Sequence, residues 1–107
     1  MSTDRQPTDF EMAVYAVVRG VPAGKVTSYG RIAAVLGRGT ARAVGSALAR
    51  NPFAPEVPCH RVVRADGGLG GFNGATEGPE LVRKRELLDR EGVPFGADGR
   101  VLPEAIE

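Results

Sequence analysis

The chain has 107 residues, 42% of them apolar and 25% charged, which is the composition of one globular domain with a single core. One cysteine and one histidine exclude an internal disulfide framework and leave too few soft ligands for an all-protein zinc site. Net charge is only +1, yet residues 19–64 carry eight basic side chains against Glu56 alone, between two acidic flanks. That basic centre is a candidate phosphate-facing surface, unless folding scatters its arginines over several faces.

The opening MSTDRQPTDFEM lacks the basic start and apolar run of a signal peptide, and no stretch approaches the roughly 18 apolar residues of a membrane span. The expected setting is the cytoplasm, where a thiol stays reduced. Thr8 and Glu11 form a capping box, and Phe10, Ala13, Val14 and Val17 recur at helical spacing, so a first helix runs to Gly20 and Pro22. SYGRIAAVLG predicts a second helix capped by Ser28, with Ile32, Ala33 and Leu36 inward and Gly37 as its stop. TARAVGSALARNP predicts a third, capped by Thr40 and ended before Pro52. Helix, short glycine-containing turn and helix together are the helix-turn-helix signature, although many such hairpins bind nothing.

The third helix should pack Val44, Ala47 and Leu48 inward and leave Arg42, Gly45, Ser46 and Ala49 outward. An outward face of small residues lets a helix backbone come close to another surface. A minor groove is only about 6 Å wide against roughly 10–12 Å for a helix, so entering one demands slim side chains and a widened groove. Packing against a neighbouring helix would be served equally well. VPCHRVV reads as a short extended segment closing a loop that begins at Asn51, and ADGGLGGFNG as an irregular loop. GPELVRKRELLDREG predicts a fourth helix, with Pro79 in its first turn, Leu81 and Leu88 inward and Gly92 at its end. The tail predicts a small hairpin around Ala97-Asp98-Gly99.

Cys59, the only cysteine, directly precedes His60, the only histidine. A cysteine attacks as its thiolate and needs a base or a positive field, which His60, Arg61 and Arg64 could supply. In an extended segment neighbouring side chains point to opposite faces, so a bridging water or a turned backbone would be needed to connect the two. A buried, inert cysteine is the competing reading.

PCHRVV resembles the active-site motif of the O6-alkylguanine-DNA alkyltransferases, self-inactivating proteins that repair alkylated guanine. GKVTSYGRIA is similar to the family's lead into its DNA-binding helices. ARAVGSALARNP is similar to the recognition helix with its following asparagine, and LLDREG to the end of the last helix with its glutamate. The resemblance implies that Cys59 accepts the alkyl group, that His60 acts as base through water, and that Glu91 holds the other ring nitrogen. It implies further that Asn51 braces the loop carrying Cys59, that Tyr29 rotates a phosphate and protonates guanine N3, and that Arg42 fills the gap left by a flipped base. Thr40, Ala41, Gly45, Ser46, Ala49 and Arg50 complete the implied DNA-binding set, and Val57, Pro58, Phe72 and Asn73 join Tyr29 around the implied alkylguanine pocket.

The expected fold is α/β and mainly helical: a small helical domain with a helix-turn-helix and a short strand or hairpin region near Cys59. Residues 1–107 are expected to form one domain with no separate N-terminal domain. The expected function is irreversible alkyl transfer from O6-alkylguanine in double-stranded DNA to Cys59 by a monomer, without cofactor, metal or membrane. Phe72 and Asn73 stand where the family usually has tyrosine and serine, and NGATEGPE lengthens the link into the last helix. The tail GVPFGADGRV and the short chain also resemble the alkyltransferase-like proteins, lesion sensors that recruit a repair-pathway protein. Those carry tryptophan or alanine where this chain has Cys59, so the retained thiol favours transfer. A helix-turn-helix regulator with an inert cysteine is the remaining alternative; it leaves PCHRVV and Glu91 unexplained.

Overall fold

Three helix starts follow from three side-chain caps in the computed structural model, which describes residues 6–107. The opening residues 1–5, read above for a leader sequence, lie outside that range. Thr8 caps α1 (Asp9–Arg19): its hydroxyl accepts from the Glu11 amide at 3.1 Å, and the Glu11 carboxylate accepts from the Thr8 amide at 2.9 Å. Ser28 ends β1 (Thr27–Ser28) and caps α2 (Tyr29–Leu36), accepting from the Arg31 amide. Thr40 caps α3 (Ala41–Ala49), accepting from the Ala43 amide. Gly37 stops α2, and the three residues Arg38–Thr40 turn the chain into α3, as the helix-turn-helix pattern requires.

The buried face of α1 differs from the expected one. Val14 is buried, but so are Glu11, Tyr15 and Val18, whereas Phe10, Ala13 and Val17 are only half-buried. The face rotates because its polar members have partners inside. Tyr15 donates its hydroxyl to the Ala47 carbonyl at 2.6 Å and packs edge-on against Phe53, while Glu11 meets Thr8 and Arg50. Hydrophobic periodicity scores such residues as surface.

VPCHRVV is likewise not simply extended. Cys59–Arg61 form one 3₁₀ turn, closed by the Arg61 amide on the Pro58 carbonyl at 2.9 Å, and only Val62–Val63 (β2) are strand. β2 pairs parallel with β1, Thr27 opposite Val62 and Ser28 opposite Val63. This small sheet divides two cores, since successive strand side chains point to opposite faces. Val62 joins Val14, Tyr15, Val18, Ile32, Val44, Leu48 and Cys59 in the helix-turn-helix core. Val63 joins Val26, Leu88, Val93, Val101 and Ala105 in a second core under α4 (Pro79–Arg90) and the tail.

The tail forms the expected turn: Phe95 and Val101 make an antiparallel bridge closed by the Gly99 amide on the Gly96 carbonyl. Ile106 then bridges back to Val26, fastening the C-terminus beside β1. The fold is mainly helical α/β, with four α-helices on a two-stranded sheet among the described residues and Cys59 at the point where α2, α3 and the sheet meet.

Candidate functional site

The 3₁₀ turn settles how Cys59 and His60 stand to each other. Three residues per turn send consecutive side chains in different directions, so the thiol faces a cavity and the imidazole points behind it toward the end of α4. Both residues are 8% exposed. The loop from Asn51 fixes that turn from beneath. Asn51 donates its side-chain amide to the Val57 carbonyl at 3.0 Å and accepts from the Phe53 amide at 2.9 Å, while the Cys59 amide also bonds the Val57 carbonyl. Val57 and Pro58 are buried under this loop and do not line the cavity.

The cavity has a volume of about 440 Å³ and three walls. One is the slim face of α3: Ala41, Arg42, Gly45, Ser46 and Ala49. Thr40 and Arg50, at the ends of that helix, stand outside the lining. The Thr40 hydroxyl is engaged as the cap, and Arg50 reaches back to the Glu11 carboxylate at 3.1 Å. The second wall is the glycine-rich loop from Gly71 to Thr76. Its tip is Phe72-Asn73-Gly74-Ala75, in which Phe72 and Ala75 exchange backbone hydrogen bonds and Asn73 and Gly74 have φ of +51° and +81°. Those values are the signature of a type I′ turn, for which Asn-Gly is a preferred pair, so backbone geometry accounts for Asn73. The Asn73 amide also donates to Glu80 at 3.0 Å, tying the loop tip to α4. Phe72 is buried in the core beneath.

Tyr29, the first residue of α2, forms the third wall, and its hydroxyl donates to the Gly71 carbonyl at 3.3 Å. Burial raises its phenol above the ordinary range, helped by the nearby Cys59 and opposed by the Gly71 bond. Gly70 lies against this ring: with φ of +71°, a Cβ there would fall 2.7 Å from the Tyr29 hydroxyl. Gly70→Ala therefore combines left-handed strain of about 1–2 kcal/mol with a clash. Thermal unfolding should show Tm lowered by at least 5 °C or so. An unchanged Tm would mean the loop relaxes freely and does not hold Tyr29.

Behind the turn, His60 Nε2 lies 2.8 Å from Glu91 Oε2. Glu91 is the C-cap of α4, a position where the helix dipole disfavours a carboxylate. Burial also disfavours its charge, but hydrogen bonds and charge from Arg61 and His60 outweigh both and hold the carboxyl below the ordinary range. Arg61 does so with a fork, Nε to Oε1 at 2.9 Å and Nη2 to Oε2 at 2.8 Å. An ionised Glu91 only accepts, so His60 Nε2 carries the hydrogen, and Nδ1 of the neutral ring is left as the acceptor.

One residue of the site had no place in the sequence reading. Lys84 is wholly buried in α4, its ammonium donating to the carbonyls of Val62 (2.6 Å), Leu69 and Gly71 (2.9 Å), with the Tyr29 hydroxyl at 3.5 Å. Burial pushes it down to about 8, while Cys59 pulls it upward. Its signal was the spacing: Lys84 falls three residues after Leu81 and four before Leu88, on the apolar stripe of α4. Among the described residues no cluster of three or more His, Cys, Asp or Glu could hold a metal, and no helix is long and apolar enough to cross a membrane.

Known proteins share this arrangement of elements. The family model described as "6-O-methylguanine DNA methyltransferase, DNA binding domain" matches residues 9–93. A methylated-DNA--protein-cysteine methyltransferase of Salmonella typhimurium is 45% identical over 86 residues, covering 79% of this chain and 47% of the relative. One from Mycobacterium tuberculosis is 45% identical over 96 residues, covering 89% and 55%. The chain thus spans about half the length of the curated relatives it matches. Among solved structures, Mycobacterium tuberculosis OGT in complex with DNA superposes with a TM-score of 0.73 at 44% identity, covering 89% of this chain and 56% of that one. S. pombe Atl1, in complex with damaged DNA containing O6-carboxymethylguanine, gives 0.78 at 30% identity and covers 97% and 98%. With helix-turn-helix, glycine-rich loop and Cys-His turn all inside the matched span, the chain belongs to the 6-O-methylguanine DNA methyltransferase family, whose DNA-binding domain it carries.

Proposed function

We propose that this chain repairs DNA by moving the alkyl group of O6-alkylguanine onto Cys59, once and irreversibly. The observation that carries the reading is the placement of the one thiol on the cavity wall, with the His60–Glu91 pair directly behind it. In this reading α3 enters the minor groove on its slim face, and the damaged nucleotide turns out of the duplex into the cavity. Arg42, exposed on the cavity rim, fills the vacated stack, and exposed arginines of the basic centre other than Arg61 and Arg50, which are held by Glu91 and Glu11, meet phosphates. Phe72 and Asn73 wall the pocket opposite α3, and Asn51 keeps the loop beneath Cys59 in place.

His60 Nδ1 takes the thiol proton through a bridging water, and Glu91 stabilises the imidazolium that forms. The thiolate attacks the alkyl carbon in line, an S–C bond forms as the C–O6 bond breaks, and the electron pair leaves on guanine. Tyr29 gives the departing base its proton at N3. The thioether has no leaving group, so no step regenerates the thiol.

A second reading is favoured by the similarity to S. pombe Atl1 over 98% of that chain: a lesion sensor that flips and holds the base for a repair-pathway protein. Incubation with duplex DNA bearing O6-methylguanine, followed by intact mass measurement, separates the two. Transfer adds the mass of one methylene on Cys59, at most once per molecule. Tight binding of the lesion without a mass gain is the sensor's result and would overturn transfer.

A further inference from the structure

We propose that Arg61 is a positioning residue for the proton transfer: its guanidinium fixes the Glu91 carboxylate and neutralises it, so that Glu91 orients His60 without trapping it protonated. This rests on the transfer reading above. The geometry is a shared acceptor. Glu91 Oε2 takes hydrogen bonds from both His60 Nε2 and Arg61 Nη2 at 2.8 Å, and Oε1 takes Arg61 Nε at 2.9 Å. The remaining arm of the fork, Nη1, donates to the Val21 carbonyl at 2.8 Å, between α1 and β1, so the guanidinium is anchored from behind.

The side chains of His60, Glu91 and Arg61 are 10%, 18% and 19% exposed, so solvent screens their charges only weakly. A lone carboxylate in that setting would hold the imidazolium strongly, and a base already protonated cannot accept the thiol proton. The guanidinium cancels most of this pull while leaving the hydrogen bond that sets the ring's tautomer. Charged or titratable groups around the turn are Cys59 and Arg61 within it, Lys84 and Glu91 from α4, and Tyr29 from α2; of these, Glu91 bonds the ring. Arg61 is thus a link between fold and chemistry: it ties the end of α4 to the α1–β1 connection and sets the electrostatics of the base.

His60 is the only histidine, so one imidazole signal reports it by nuclear magnetic resonance in the untagged chain, with no DNA and no transfer required. In Arg61→Met the protonation midpoint of that signal should rise by one pH unit or more, the order of effect for an unmasked charge at contact distance. The acidic limb of the transfer rate should move up with it. Arg61→Lys, which keeps the charge but not the fork, should restore most of the midpoint and not the full rate. A midpoint in Arg61→Met within a few tenths of a unit of wild type overturns the proposal. A neutral wild-type ring carrying its hydrogen on Nδ1 overturns it too, and that measurement needs no variant to fold. Failure of the transfer reading would show separately, as wild-type protein that never alkylates Cys59.

Discussion

His60→Ala should slow alkyl transfer to Cys59 by roughly 10²–10⁴-fold, the span of a lost general base, with little change in affinity for lesion-bearing DNA. The separation follows from where the ring lies: it faces Glu91 behind the turn, whereas the cavity is walled by α3, Tyr29 and the 71–76 loop. Glu91→Gln tests the same relay by another route. A glutamine amide can donate to Nε2, which would put the hydrogen on Nδ1 and leave that nitrogen unable to accept the thiol proton. It also leaves the Arg61 guanidinium without its counter-charge, so some loss of stability should accompany the loss of rate. Single-turnover rates from mass against time, beside fluorescence anisotropy for DNA binding, measure both quantities. Parallel losses of binding and rate in His60→Ala would assign the histidine to the fold rather than to the reaction.

How much of this was legible beforehand depends on the range of the interaction. Thr8, Ser28 and Thr40 cap helices because their hydroxyls bond amides three residues on, and such contacts can be read from spacing. The inward set Val44, Ala47 and Leu48 of α3 follows from helical period alone. By contrast, β1 and β2 are two residues each and pair across thirty-five positions, too short for a period and too distant for a local signal. The turn at Cys59 was hidden because valines on both sides suggest a strand, while Pro58 lets the chain curl. Residues that are polar but internally satisfied escaped for one shared reason. Tyr15 and Lys84 donate to carbonyls elsewhere in the chain and Glu11 accepts from Thr8 and Arg50, so all three can be buried, and hydropathy has no record of partners. At the site, Cys59 and His60 stand out as the only residues of their types and Glu91 through the resemblance carried by LLDREG, but the Arg61 fork and the Lys84 cage exist only in three dimensions.

Lys84 carries the other large expected effect. Its ammonium gathers the carbonyls of Val62, Leu69 and Gly71, fastening the end of β2 to the loop that forms one cavity wall. Lys84→Met keeps the apolar stem and removes the donor that all three share; the Gly71 carbonyl still accepts from the Tyr29 hydroxyl, and each of the others, once left unpaired, costs about 1–3 kcal/mol. Set against that loss is relief of a buried charge, and pH separates the two. The folded lysine is pushed down to about 8 from an ordinary 10.5. Between those values the unfolded chain holds a proton that the folded chain has lost, so the lysine protein gains stability as pH rises through this window. The full difference corresponds to about 3 kcal/mol, and the methionine variant has no such titration. Urea unfolding of both proteins at pH 7 and pH 10, in a Cys59→Ser background to silence the thiol, should show the stability gap widening in favour of lysine at the higher pH. A gap that stays constant or narrows would mean that the three carbonyls solvate the ammonium as well as water does. Burial would then cost Lys84 nothing, and its place beside Tyr29 and Cys59 would be that of an ordinary charged clamp.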